Sequence, residues 1–263
     1  MTGDGVPRGS LVVVGTGIRS PFHTTTEAIR HIERADRVLY LLAQDSPSRW
    51  IHERNPSALS LAPLYEEHEQ RKDVYAAIVD EVLAPVRAGL DVCLALYGHP
   101  GVFVTPSHDV LARARAEGFM ATMLPGISAE DCLFVDLGVD PADSGCQSYE
   151  ATDLLIRERS VDPAVPLVVW QISVIGRFGT TGPINRHGLA VLADRLIESH
   201  GPDHEAVLYE ASPFPVGPSL IEHVRLRDLA EAGVTPLSTL YVPPARSSPV
   251  STRMLELLKI PSP

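Results

Sequence analysis

Cysteine, basic charge and long apolar runs are all scarce in this chain, and each shortage removes a class of function. The three cysteines, Cys93, Cys132 and Cys146, have neither metal-ligand spacing nor the framework of a disulfide-stapled domain. Cys93 sits inside an apolar stretch, so all three read as reduced core thiols. Lys and Arg number 22 against 33 Asp and Glu, and no basic stripe offsets the formal net charge of −11. Nucleic acid and anionic membranes are therefore poor partners, because phosphate surfaces require clustered cations. Residues 1–10 contain no apolar core of a secretion signal, and no apolar segment approaches membrane-spanning length. The expected location is the cytoplasm. Nucleophile elbows, zinc helices and phosphate-loop motifs are also absent, and no metal is expected.

What is present suits a globular α/β protein. At 263 residues and 44% hydrophobic, the chain can bury a core in one large domain or two small ones. Residues 11–14 read as a buried β-branched strand, broken by Gly15-Thr16-Gly17. A capping-box pattern at Thr24-Thr25-Thr26-Glu27 then opens a helix, and a strand over 37–42 completes a βαβ unit, which implies a parallel sheet. The spacing predicts a helix over 71–87, with Val74, Ala77, Ile78, Val82 and Leu83 on one face, then a strand over 92–96. A helix over 107–117 and an extended segment over 120–124 follow. Past Pro125-Gly126 the pattern resets: a helix start at Ser128, apolar runs at 166–170, 206–209 and 238–242, and an amphipathic stretch over 189–197. The expectation is two α/β subdomains, 9–124 and 125–245, with a cleft between them, and a tail over 246–263 that is loosely held, as are residues 1–8.

Two glycine loops follow buried strands, and the second is the candidate ligand floor. Val14-Gly15-Thr16-Gly17-Ile18 lacks the third glycine of a dinucleotide fingerprint, and no acidic residue closes a second strand to hold a ribose. Residues 97–104, Tyr97-Gly98-His99-Pro100-Gly101-Val102-Phe103-Val104, follow a buried strand and expose backbone groups at the carboxyl edge of a parallel sheet, where α/β folds bind small molecules.

That loop, taken with Pro125-Gly126-Ile127-Ser128-Ala129, resembles the S-adenosylmethionine-dependent tetrapyrrole methylase superfamily, a class III methyltransferase fold. The usual Gly-x-Gly-Pro-Gly-Asp loop of its tetrapyrrole-modifying members is replaced by Gly15-Thr16-Gly17-Ile18-Arg19-Ser20, which speaks against a porphyrinoid substrate. The nearer resemblance is to borosin peptide backbone α-N-methyltransferases. It is carried by Tyr65, Arg71-Lys72-Asp73-Val74-Tyr75, the Tyr97 loop, Gly126-Ile127-Ser128-Ala129-Glu130-Asp131, Tyr149-Glu150-Ala151-Thr152-Asp153, Trp170-Gln171 and Ser238-Thr239-Leu240-Tyr241-Val242-Pro243-Pro244.

An amide nitrogen is a poor nucleophile, since its lone pair is delocalised into the carbonyl; methylation needs loss of the N–H proton and stabilisation of charge on oxygen. Arg71 and Tyr75 lie four residues apart on a predicted helix and so share a face. In this reading Tyr75, helped by Tyr65, removes the proton, a neighbouring Arg lowering the phenol's titration point. Arg71 stabilises the imidate oxygen, and Tyr97 aligns the methyl group. The competing role for each Tyr is half-buried packing, and for Arg71 a solvated surface charge. For the S-adenosylmethionine cofactor the resemblance implies contacts from His99, Pro100, Val102, Phe103, Ser128, Ala129, Gln171, Tyr209, Ala211, Ser238 and Thr239. Ser128 is equally a helix N-cap, Val102 and Phe103 equally core, and His99 equally a ring bonded to a neighbouring carbonyl.

Fungal borosin proteins fuse the methylated peptide to the enzyme's C-terminus. Only 19 residues follow Pro244 here (263 − 244), with 254–258 helical, so the resemblance implies a split form acting on a separate precursor peptide. It also implies an interlocked homodimer. Two other readings compete: a tetrapyrrole or other small-molecule methyltransferase, and an inactive cofactor-binding subunit of a catalytic partner.

Overall fold

A computed structural model describes residues 9–42, 48–214 and 216–261. The loose start expected over residues 1–8 lies outside the described residues, as does Pro47. The chain divides into two compact units. One runs to Leu137 and takes in Arg177–Pro183 and Ala211–Ser219; the other comprises Gly138–Gly176, Ile184–Glu210 and the chain from Leu220 onward.

In the first unit the elements are β1 (Ser10–Gly15), α1 (Thr26–Arg34), β2 (Arg37–Leu41), α2 (Ser48–Arg54), β3 (Leu59–Ser60), α3 (Leu64–Glu67), α4 (Arg71–Arg87), β4 (Asp91–Leu96), α5 (Thr105–Ala116), β5 (Met120–Met123) and α6 (Ala129–Leu137). The five strands form one sheet in the order β3-β2-β4-β1-β5, all parallel as the βαβ start implies. Strand alternation divides the core between its faces. Val13, Val92 and Leu94 pack with Val74 and Ile78 of α4 and Val110 of α5. Val14, Cys93 and Ala95 pack with Ala28 and Ile32 of α1 and Ile51 of α2. Each fully buried Val or Ile here contributes about 1.5–3 kcal/mol of transfer free energy. Both faces are covered, which explains why β1 and β4 read as unbroken apolar runs.

Two details differ from the sequence reading. Thr25, not Thr24, is the N-cap of α1, its side chain accepting from the Ala28 N–H. That shifts Glu27 into the second helical position, so the reciprocal capping box does not close; Thr24 instead donates its hydroxyl to the Thr16 carbonyl at 2.9 Å. Of the three thiols only Cys93 is core; Cys132 and Cys146 are half-buried.

In the second unit α7 (Pro141–Ser144), β6 (Gln147–Glu150), α8 (Ala151–Ile156), β7 (Leu167–Trp170), α9 (Arg186–His200), β8 (Glu205–Glu210), β9 (Leu220–Arg225), β10 (Thr239–Val242) and α10 (Thr252–Leu258) follow in order. Its sheet runs β6-β7-β10-β8-β9. Only β6 and β7 pair in parallel; the rest is antiparallel. The core gathers Leu167, Val169, Leu208 and Leu240 against Leu189, Leu192 and Leu196 of α9. The stretch after residue 246, read as loosely held, contains α10, N-capped by Ser251, with Leu257 and Leu258 left exposed. Among the described residues no helix is long and apolar enough to cross a membrane.

Candidate active site

Three loops meet at the carboxyl edge of the parallel sheet, where β4, β1 and β5 lie side by side. The connections leaving β1 and β4 depart in opposite directions along the sheet, the arrangement that opens a crevice at strand ends. Gly17 and Gly98 exchange backbone bonds, Gly17 N–H to Gly98 O at 3.2 Å and Gly98 N–H to Gly17 O at 3.1 Å. A Cβ on Gly15 would stand 2.3 Å from the Gly98 carbonyl oxygen, and one on Gly126 would stand 3.2 Å from the same atom. The first glycine loop thus packs against the Tyr97 loop. Gly98 has φ +70, a conformation that favours glycine, and an added Cβ there would meet only Ile18 Cδ1, at 3.7 Å.

Behind the Tyr97 loop, α5 anchors it. Ser107, fully buried, has its hydroxyl within bonding distance of the Pro100 and Val104 carbonyls. His108 Nε2 donates to Gly101 O at 3.0 Å. His99 bonds an amide rather than a carbonyl: its Nδ1 accepts from the Gly101 N–H at 2.9 Å, leaving Nε2 as the ring's donor. Pro100 is buried, Val102 half-buried, and Phe103 is 44% exposed with φ +54. A bulky residue held in the left-handed region and turned to solvent is strained, and such strain clusters at ligand sites.

At the start of α6, Ser128 forms a capping box with Asp131. The Ser128 N–H and hydroxyl both donate to Asp131 Oδ2 at 2.7 Å, and the Asp131 N–H donates back to the hydroxyl at 3.2 Å. The cap role expected for Ser128 is present; Ala129 follows it half-buried at the first helical position. Tyr97, at the end of β4, is pushed up to about 12 by burial first and then by the Cys132 thiol on α6. Its neutral phenol form is therefore favoured.

Arg71 and Tyr75 occupy the first two turns of α4, both half-buried. Tyr65 on α3 and Tyr75 pack against the same core face. Tyr65 lies close enough to both for their charges to act on it. Its titration point is raised, by burial first and by Tyr75 second, against the opposing pull of Arg71. At Tyr65 the Arg71 guanidinium does pull the titration point down, but desolvation outweighs it.

Of the remaining residues, Tyr209 and Thr239 lie in the second unit's sheet and pair with each other; Ser238 directly precedes β10, and Gln171 directly follows β7, in the left-handed region at φ +58. Ser238 is buried and committed: its hydroxyl donates to Glu210 Oε1 at 2.6 Å and accepts from the Thr235 N–H at 2.8 Å. Tyr209 is fully buried. Ala211 begins the segment that belongs to the first unit. Sequence reading passed over Gly15 and Gly17 once the dinucleotide fingerprint failed; their signal was simply two glycines directly after the first buried strand.

A family described as Tetrapyrrole (Corrin/Porphyrin) Methylases matches residues 10–212. Among curated relatives, a methyltransferase/ribosomally synthesized type III borosin cyclic peptide precursor from Anomoporia bombycina is 41% identical, over 97% of this chain and 30% of its own length. The methyltransferase/ribosomally synthesized cyclic peptide dendrothelin A precursor of Dendrothele bispora is 40% identical, over 95% of this chain and 61% of its own. This chain therefore spans less than two thirds of the length of either relative. Uroporphyrin-III C-methyl transferase from Thermus thermophilus, solved in complex with S-adenyl homocysteine, shares the fold with a TM-score of 0.62 at 18% identity, covering 90% of this chain and 98% of that one. With the family pattern running from the first strand to the end of the β8 loop, the chain belongs to the tetrapyrrole methylases.

Proposed function

We propose that this chain is an S-adenosylmethionine-dependent methyltransferase that N-methylates backbone amides of a separate peptide, acting as a homodimer. The observation that carries this reading is the placement of Arg71 and Tyr75 one helical turn apart on α4, with Tyr65 in electrostatic range of both. The relatives whose printed names join a methyltransferase to a ribosomally made peptide precursor support the same acceptor class.

S-adenosylmethionine is the cofactor; a fold neighbour holds its demethylated product. The residues present fit it. A Cβ on Gly98 would make no closer contact than 3.7 Å, to Ile18 Cδ1, and the Nδ1 bond to the Gly101 N–H leaves the His99 Nε2 as that ring's donor. When bound, the cofactor supplies an electrophilic methyl group. His99, Pro100, Val102, Phe103, Ser128, Ala129, Gln171, Tyr209, Ala211, Ser238 and Thr239 are its proposed contacts.

The chain's own residues then handle the acceptor. The amide N–H bond breaks as its proton passes to the Tyr75 oxygen, charge collects on the amide oxygen against the Arg71 guanidinium, and nitrogen takes the methyl group. Tyr65, whose titration point burial raises, lies in electrostatic range of Tyr75 and assists it. Tyr97 orients by hydrogen bonding. The test is incubation of the purified chain with S-adenosylmethionine and separate peptides, followed by fragmentation mass spectrometry. Increments of one methyl group on backbone nitrogens are expected, whereas methylation of a porphyrinoid with every peptide untouched would overturn the proposal.

A further inference from the structure

Helix α4 begins without the cap that its role demands. Gln70, at its N-cap, makes no capping bond through its side chain, whereas Thr25 and Asn185 cap α1 and α9. Uncapped first turns fray, because their N–H groups have no partner inside the helix. Here that first turn carries Arg71.

The missing partner comes from the Arg177–Pro183 segment, distant in sequence but part of the same compact unit. The Arg71 N–H donates to the Phe178 carbonyl at 3.1 Å, and the Thr180 N–H donates to the Glu69 carbonyl at 3.0 Å. Together they form an antiparallel bridge that pairs Gln70 with Gly179. The Thr180 hydroxyl adds a third bond, to the His68 carbonyl at 3.1 Å. The segment is itself closed into a compact loop by the Arg177 guanidinium, which donates to the Gly182 and Pro183 carbonyls. Gly182 has φ +138, a backbone that favours glycine.

Residues 68–70 join α3, which carries Tyr65, to α4, which carries Arg71 and Tyr75. All three bonds fall on this junction and on Arg71 itself. We propose that the Phe178–Thr180 backbone and the Thr180 hydroxyl act as a clamp that sets the three side chains relative to one another, with Thr180 as a positioning residue for proton removal. The inference rests on the proposed role of Arg71 and Tyr75. Its physical basis is that an error of about 1 Å in a reacting geometry costs on the order of a hundredfold in rate, while the buried face of α4 begins only at Val74, three residues after Arg71.

Thr180→Val keeps the shape and removes only the hydroxyl. In single-turnover methylation of an accepted peptide it is expected to lower the rate about tenfold, with peptide KM and cofactor affinity within about twofold of wild type. Thr180→Ser is expected to restore the rate. Hydrogen exchange, which needs no substrate, is expected to speed up at the Arg71 amide while the Ile78 and Val82 amides stay protected, showing that the variant is folded. Faster exchange with an unchanged rate overturns the positioning role, and unchanged exchange overturns the clamp. If Arg71→Ala and Tyr75→Phe both methylate normally, the acceptor chemistry itself is wrong, and the positioning role falls with it even where the exchange result holds.

Discussion

At the residue scale, chemistry divides three tyrosines that look alike in the sequence. Burial holds Tyr97 at about 12 and raises Tyr65, so the neutral phenol is favoured at both; Tyr75 is the proposed base on its placement with Arg71 on α4. Tyr75→Phe is expected to abolish methyl transfer while leaving cofactor affinity nearly intact, as measured by turnover and calorimetry; near wild-type turnover would refute the base assignment. Phe103→Ala is expected to weaken cofactor binding first, since its strained backbone presents the ring to solvent. Tyr97 also makes a prediction about stability. Its folded value exceeds the unfolded one of 10, so its contribution is fully present below pH 10 and is lost as pH rises toward about 12. Alkaline unfolding should therefore be steeper across that window in the wild type than in Tyr97→Phe. The roles proposed for Arg71 and Tyr75 rest also on the family resemblance, but that the two share one helix was legible from their spacing. The upward shift at Tyr65 was not, because desolvation depends on which surfaces close over the ring.

At the scale of elements, strands buried on both faces and amphipathic helices announced themselves, and α4 occupies the predicted span. The elements that went unread lack a pattern. β3 is two residues long, and β6 is the polar stretch Gln147–Glu150. β9 is exposed along nearly its whole length and so shows no alternation. The capping register of α1 was one residue off because three consecutive threonines offer equivalent hydroxyls. Thr25→Ala is expected to cost about 1 kcal/mol, seen as a lower midpoint in denaturant, with Thr24→Ala acting instead through the Thr16 carbonyl. Gly15→Ala is a harsher test of the loop junction. Its methyl would stand 2.3 Å from Gly98 O, backbone that cannot yield cheaply, so loss of cofactor binding is expected before loss of fold.

At the scale of the whole molecule, the two units each own a core and a sheet, yet the first borrows Arg177–Pro183 and Ala211–Ser219 from the later chain. The second of these is tied in by Arg19, whose Nε donates to Ser212 O at 3.3 Å, and by Ser219, whose hydroxyl donates to Asp136 at 2.6 Å. Saturation with S-adenosylmethionine at a hundred times its dissociation constant is expected to stabilise the protein by about 2.7 kcal/mol, read as a rise in Tm that a Phe103→Ala variant shows only at higher cofactor concentration. The sequence by itself determined the fold class, the parallel first sheet, the α4 pair and the Tyr97 loop, because apolar periodicity, glycine breaks and helical spacing are local properties. Only the tertiary structure decided which glycine loops touch, which hydroxyls are already committed to caps, and that α4 is held at its start by Phe178 and Thr180. Those are contacts between residues up to 112 positions apart in sequence, and they depend on how the chain returns to its own first sheet.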